Sequence, residues 1–311
     1  MFTIRGFQLY LIRTERKILL KHCSYLVLLV LLGFAGAFLR PTIPLYINAP
    51  TLLCSGRSED RDHQTSAGLL TPPVLFSVTS NCRHTRARKA IRETWGTDAV
   101  KYASKVLFFV GHHDECDEVV AKELQDHGDV VVLSNVPESY GNLPLKTLSM
   151  FEYVAKHHGD DFKFIAKVDD DVFVDHYSLF KLVAQAQSKR HPAEYMGFFH
   201  NGTVPVKKPG CKWYDENYDM DLYPPYAGGM FYLVSARIVR WVASNAHDFA
   251  LWANEDSSFG TWVQSLDPVI FHFPQVWPSR VYAVHQVAPP AAIHVEWATG
   301  QGVQKGWEDD G

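Results

Sequence analysis

From residue 73 onward the chain alternates short β-branched and aromatic runs with amphipathic runs of helix length, and this alternation limits the available folds more than any other feature. VLFSVTS (74–80) precedes TRARKAIRETW (85–95), and KVLFFVG (105–111) precedes a polar helix around Glu118 to Gln125. DVVVLS (129–134), LKTLSMFEYVAKHH (145–158), FKFIAKV (162–168) and a helix from about Tyr177 to Ser188 continue the order. Strand and helix in turn give a parallel α/β sheet, whose ligands bind beyond the C-terminal ends of the strands. With 47% hydrophobic and 13% aromatic residues among 311, the chain can bury a core and is not a disordered or low-complexity polymer. The sequence contains no internal repeat, G-x-G-x-x-G or Walker A motif.

Thirty Lys and Arg against 34 Asp and Glu argue against a nucleic-acid coat, but the charge is unevenly spread. Residues 1–21 carry Arg5, Arg13, Arg16, Lys17 and Lys21 against the single Glu15, whereas residues 22–39, HCSYLVLLVLLGFAGAFL, carry no Asp, Glu, Lys or Arg. As a helix that run would extend about 27 Å, close to an endoplasmic-reticulum bilayer. The positive-inside rule then predicts a cytosolic tail (1–21), a transmembrane signal anchor (22–39), a stem (40–72), a lumenal body (73–300) and a C-terminal tail (301–311). Ala35-Gly36-Ala37 also suits a cleaved signal peptide, against which the long basic leader weighs. Either way Cys54, Cys82, Cys116 and Cys211 meet an oxidising lumen, with three complete pairings open. No C-x-x-C pair suggests zinc; Cys23, at the edge of the span, reads as an apolar filler before a palmitoylation site. Asn201-Gly-Thr203 is the one N-glycosylation sequon.

The strongest chemical signal is Lys167-Val-Asp-Asp-Asp-Val-Phe-Val174, an apolar strand running into Asp169, Asp170 and Asp171. Adjacent carboxylates repel, and a hard divalent cation such as Mg²⁺ or Mn²⁺ relieves the repulsion while keeping positions open for a diphosphate. The competing reading is a solvated acidic turn, disfavoured directly after a buried strand. Val174 stands where an EF-hand loop needs Gly, and Val172 and Phe173 lack the hydroxyl that an aspartyl-phosphate enzyme would want after its acidic pair.

Five segments, in order and approximate spacing across residues 73 to about 297, resemble glycosyltransferase family 31, the β1,3-galactosyl and β1,3-N-acetylhexosaminyl transferases. They are Arg88-Lys-Ala-Ile91-Arg92-Glu-Thr94-Trp95-Gly96, Tyr140-Gly-Asn-Leu-Pro-Leu-Lys146-Thr147, the Asp triplet, Tyr223-Pro-Pro-Tyr226-Ala-Gly-Gly229, and Glu255-Asp256 with Gly260. The resemblance implies an α/β, Rossmann-like GT-A fold behind a single transmembrane helix, in the Golgi or endoplasmic reticulum. It also implies a UDP-sugar donor, Mn²⁺ and an inverting reaction. Expected partners are UDP-galactose or a UDP-N-acetylhexosamine, a glycan acceptor, the membrane through residues 22–39 and, as an open option, a second copy of the chain. Nucleic acid is not among them.

By the same resemblance Asp171 and His285 would ligate Mn²⁺, His285 being preferred over His272 and His294 on Val284-His285-Gln-Val-Ala-Pro289. Asp169 and Asp170 would position the metal shell, the ribose or the donor sugar. Asp256 would be the base that deprotonates the acceptor hydroxyl, with Glu255 the alternative; Ser257 stands where the family usually has Val. Arg88 and Arg92 would contact UDP, or else tie their helix to a neighbouring carboxylate, the better reading for Arg92. Trp95 reads as core, and Lys146 either reaches a phosphate or caps a helix start. Ala227, where many galactosyl members carry Cys, points to the N-acetylglucosaminyl branch. Ile238 to Asn245 and the pattern ending at Trp262 point instead to the N-acetylgalactosaminyl and linker-region galactosyl branches, so the donor stays open. A catalytically silent partner subunit and a secreted lectin are the competing classes; intact Asp169–Asp171 and Asp256 favour an enzyme.

Overall fold

The computed structural model describes residues 73–273 together with Ala283–Val284, all within the second of two units of the chain, Gln64–Gly311. Cys54, the 22–39 span, the stem and the C-terminal tail lie outside the described residues; among the described ones no helix is long and apolar enough to cross a membrane. The core is a seven-stranded mixed sheet of order β3-β2-β1-β4-β7-β6-β8. Its first half comprises β1 (Val74–Thr79), β2 (Lys105–His112), β3 (Val130–Pro137) and β4 (Phe164–Asp169), all parallel, as the alternation predicts.

The second half corrects the expectation of a purely parallel sheet. β7 (Tyr226–Ser235) runs antiparallel to β4, β6 (Tyr195–His200) antiparallel to β7, and β8 (Ile270–His272) parallel to β6. A two-stranded ribbon pairs β5 (Phe173–Val174) with β9 (Ala283–Val284). The prolines of Tyr223-Pro-Pro-Tyr226 end a long irregular segment after β6, and β7 starts immediately behind them and absorbs Gly228 and Gly229.

Side-chain alternation along the central strands feeds two cores, one on each face. Val74, Phe76 and Val78 of β1 join Phe164, Ala166 and Val168 of β4 on one face, beneath helices α1 (Thr85–Glu93), α2 (Trp95–Ala99) and α5 (His176–Gln187). Leu75 and Ile165 join the opposite core, covered by α4 (Leu143–His158), α6 (Ala236–Ser244) and α7 (Glu255–Val263). Helix α3 (Asp117–His127) runs from the β2 end toward β3 and closes on Gly128, whose φ of 66° suits the left-handed terminal position.

The single helix predicted for residues 85–95 is broken at Thr94, whose hydroxyl donates to the Ala90 carbonyl (2.6 Å). The break turns Trp95 inward, where it is fully buried and its indole N–H donates to the Val172 carbonyl (3.0 Å), tying α2 to the turn that follows the Asp triplet.

Among the described residues Cys82 and Cys116 form a disulfide, and Cys211 is free and half-buried. The bridge fastens the β1–α1 loop to the turn before α3 across a separation of 34 residues. Replacing both cysteines with alanine should lower the unfolding free energy by about 2–4 kcal/mol in urea denaturation.

Candidate active site

β1 and β4 are paired in register, Thr79 opposite Asp169, so both strands release their chains at the same edge. A cavity of about 250 Å³ opens there, lined by Thr79, Ser80, Asn81, His84, Glu138, Ser139, Tyr140, Leu143, Lys146 and all three of Asp169, Asp170 and Asp171. A larger one of about 390 Å³ lies between α1 and α3 and holds none of the triplet.

The three aspartates have different surroundings. Asp169 Oδ1 accepts from Thr79 Oγ1 (3.2 Å) and Lys167 Nζ (2.6 Å). Asp170 Oδ2 accepts from Ser80 Oγ (2.7 Å) and lies 2.9 Å from His84 Nδ1; this hydrogen bond raises the imidazole above its ordinary pKa. Asp171 follows on the same cavity wall, and the turn continues into β5, where Phe173 pairs with Val284. His285 and the alternative His294 lie outside the described residues. His272 ends β8 and accepts the Phe199 N–H through Nδ1 (3.1 Å).

Glu255 and Asp256 open α7 and are separated by environment. Glu255 is buried: Oε1 accepts from Tyr232 Oη (2.8 Å) and Thr147 Oγ1 (3.1 Å), and Oε2 lies 3.5 Å from Lys167 Nζ. Burial, helped by neighbouring Asp256, raises its pKa despite Lys167. Asp256 is half-buried, with Oδ1 accepting from the Ser257 N–H (2.9 Å) and Oδ2 from the Gly229 N–H (3.2 Å). Of the two, Asp256 retains exposure and Glu255 is occupied in holding elements together. A Cβ on Gly229 would lie 2.9 Å from Glu255 Oε2, and one on Gly260 would lie 2.5 Å from the Tyr226 Cβ, so these glycines let α7 lie against β7.

Lys167 connects the two groups of carboxylates and was not singled out from the sequence. Its side chain is 4% exposed, and its ammonium donates to Asp169 and the Gly229 carbonyl beside Glu255. Burial pulls its pKa down, and the charges of Asp169 and Glu255 outweigh burial and raise it. A lysine inside the otherwise apolar run FIAKV was the available signal, because a buried ammonium needs acceptors.

Arg88 and Arg92 lie behind the site, and both make the pairing to neighbouring carboxylates that was the alternative to a UDP contact. The fully buried Arg88 guanidinium donates to both oxygens of Glu123 (2.7–3.1 Å), to Ser80 Oγ (2.9 Å) and to the carbonyls of Asn81 and Cys82. Arg92 pairs with Asp129 and Glu123, each at 2.7 Å. Lys146, on the first turn of α4, donates to the Ser80 carbonyl (2.6 Å) and to Glu138 (2.8 Å), and burial lowers its pKa. Glu138 in turn accepts from the Cys82 and Gly111 N–H groups.

The galactosyltransferase family profile matches residues 86–272, more than half of the chain and the whole span from α1 to β8. The chain belongs to glycosyltransferase family 31. It is 30% identical to β1,3-galactosyltransferase 6 of Mus musculus over 255 residues, 79% of this chain and 76% of that one. It is 28% identical to β1,3-galactosyltransferase 1 of the same species over 244 residues, 73% of each chain. A match to UDP-GalNAc:β1,3-N-acetylgalactosaminyltransferase 2 of Xenopus laevis, 32% identical over 152 residues, covers 49% of this chain and 30% of the relative. The chain is therefore a glycosyltransferase, and its Rossmann-like mixed sheet is consistent with a GT-A fold.

Lys167→Met would leave Asp169 and Glu255 without their shared counter-charge, and Arg88→Met would leave Glu123 with Arg92 alone and strip the buried donors from Ser80 and the Asn81 and Cys82 carbonyls. Each should cost about 3–5 kcal/mol of stability, measured by urea unfolding. Exposed Lys181→Met should change stability by less than about 0.5 kcal/mol.

Proposed function

We propose that this glycosyltransferase transfers galactose or an N-acetylhexosamine from a UDP-sugar, in β1,3 linkage and with inversion, to a glycan acceptor of a glycoprotein, proteoglycan or glycolipid. The observation that carries the reading is the pairing of two kinds of carboxylate around Lys167. Asp169, Asp170 and Asp171 line a cavity at parallel strand ends, and half-buried Asp256 is held by two backbone N–H groups at the start of α7.

The triplet offers only oxygen donors, which fits Mn²⁺ or Mg²⁺, and the cavity is large enough for a diphosphate. Asp171, with His285 by resemblance, would hold the ion, while Asp169 and Asp170 are oriented by Thr79, Lys167, Ser80 and His84. When bound, a divalent ion would stabilise the negative charge that develops on the departing diphosphate. Asp256 accepts the proton of the acceptor hydroxyl as that oxygen attacks the anomeric carbon on the face opposite the leaving group, which gives inversion. The N–H groups of Gly229 and Ser257 fix the carboxylate's direction. Glu255 holds α7 against β4 and β7.

The same reading puts the body in the lumen of the Golgi or endoplasmic reticulum, anchored as a type II protein by residues 22–39. The Cys82–Cys116 disulfide supports an oxidising compartment.

UDP release by the full chain with Mn²⁺, across UDP-sugars and β-linked acceptors, tests the proposal. Asp256→Asn should lower kcat by about 10²–10⁴-fold while keeping Mn²⁺-dependent UDP binding within about threefold. Asp171→Asn should lose both. Turnover that survives Asp256→Asn would remove the base assignment, and UDP binding without turnover on any acceptor would favour a silent partner subunit.

A further inference from the structure

The segment between β6 and β7 carries large side chains that the chemistry above does not use. Trp213 is 58% exposed and Tyr140, on the cavity wall, is 62% exposed. The ammonium of Lys212 reaches both rings, 5.7 Å from the Trp213 centroid and 5.8 Å from that of Tyr140. Among the described residues no carboxylate forms an ion pair with Lys212.

This segment is firmly built. Asp215, 1% exposed, accepts from Tyr223 Oη (2.7 Å) and from the Ala253 N–H (3.4 Å), and its own N–H donates to the Val206 carbonyl (2.9 Å). Lys207 donates to the Asp215 carbonyl (2.8 Å), and Tyr218 packs on Tyr223 and Trp252 with ring centroids 4.4 and 5.2 Å apart. A buried carboxylate and an aromatic cluster thus pin the chain that presents Trp213, so the exposed indole is held in place by the fold.

The two ends of the strip have fixed neighbours. Tyr140 shares its cavity with Asp169, Asp170 and Asp171. The Trp213 carbonyl accepts from Asn254 Nδ2 (3.4 Å), and Asn254 is the residue before Glu255-Asp256. The strip therefore runs from the donor side of the site to the segment that carries the base, the ground an acceptor must cover for its hydroxyl to meet both.

We propose that Trp213 and Lys212, beside Tyr140, form the acceptor subsite, with a pyranose ring of the glycan stacked on the indole and its oxygens hydrogen-bonded by the Lys212 ammonium. A pyranose has an apolar face of C–H groups that suits an exposed aromatic ring, and hydroxyls around its rim that suit an ammonium donor. Aromatic anchors of this kind carry a large share of the energy at binding sites. The assignment of the sugar as acceptor rests on the transferase reading; the binding of a sugar at Trp213 does not.

The test separates the two. Saturation-transfer NMR on the full chain with Mn²⁺ and UDP uses methyl β-glycosides of galactose, N-acetylglucosamine, N-acetylgalactosamine and xylose as probes. At least one probe should receive saturation, and Trp213→Ala should abolish it. In turnover, Trp213→Ala and Lys212→Met should raise the acceptor KM at least tenfold while UDP affinity stays within twofold. Trp213→Phe, which keeps an aromatic face, should recover part of the loss. If no glycoside binds, or if binding and acceptor KM ignore both substitutions, the subsite is wrong even where UDP binds and turns over. A parallel fall in UDP affinity would also overturn it, by moving the strip to the donor. If UDP does not bind but a glycoside does through Trp213, the sugar platform stands and the transferase reading fails.

Discussion

The buried ammonium of Lys167 determines how the two halves of this sheet meet. It sits on β4, the strand at which the order changes from parallel to antiparallel, and it contacts Asp169 on its own strand, the Gly229 carbonyl on β7 and Glu255 on α7. The period of two along β4 puts Ile165, Lys167 and Asp169 on one face, the face that α4 and α7 cover. Withdrawing an ammonium from water costs several kcal/mol, and only a nearly complete set of acceptors offsets that cost. The set is assembled from three elements at once, so the position of Asp169 at the donor edge and of Asp256 at the start of α7 are joined through one side chain and one glycine.

A second brace lies under the loop that follows β1. Arg88 grips the carbonyls of Asn81 and Cys82 from one side, and Lys146 grips the Ser80 carbonyl from the other. Glu138 accepts the Cys82 N–H, and the disulfide holds the same residue to Cys116. With the backbone of residues 80–82 fixed in this way, Ser80 Oγ is presented to Asp170 at 2.7 Å. Arg88 of the first helix thus bears on the proposed donor site through the loop it holds, its guanidinium engaged by Glu123 and backbone carbonyls.

The parallel half was legible because each of its strands is a short apolar run followed by an amphipathic helix, and β4 announces its end with three aspartates. The antiparallel half was not. β7 follows two prolines and opens with glycines that read locally as a loop, and only the partner β4 and the packing of α7 draw that segment into the sheet. β5 is two residues long, below what any periodicity can reveal. The contacts of Arg88 and Arg92 depend on Glu123 and Asp129, more than 30 residues away, and no spacing rule connects a helix arginine to a carboxylate on a distant element. Resemblance had already put Asp256 ahead of Glu255, but the physical difference between them, Tyr232 and Thr147 occupying the latter, lies in residues far away in sequence.

This split in legibility follows a split in physical task. Binding a nucleotide diphosphate at strand ends needs a rigid edge, and a rigid edge comes from regular, pattern-rich elements locked by buried charge. Meeting a glycan needs a surface whose shape is particular to that glycan, and such surfaces are built from irregular chain pinned at a few points, as the segment proposed for the acceptor is by Asp215, Tyr218 and Tyr223. The two tasks meet at Gly229, whose N–H orients Asp256 and whose carbonyl receives Lys167. A side chain there would lie 2.9 Å from Glu255 and force α7 away from β7. The loop that presents Trp213 can therefore vary in sequence without touching the Lys167 hub, whereas Gly229 cannot, because the proposed donor edge and the proposed base are both referenced to its backbone.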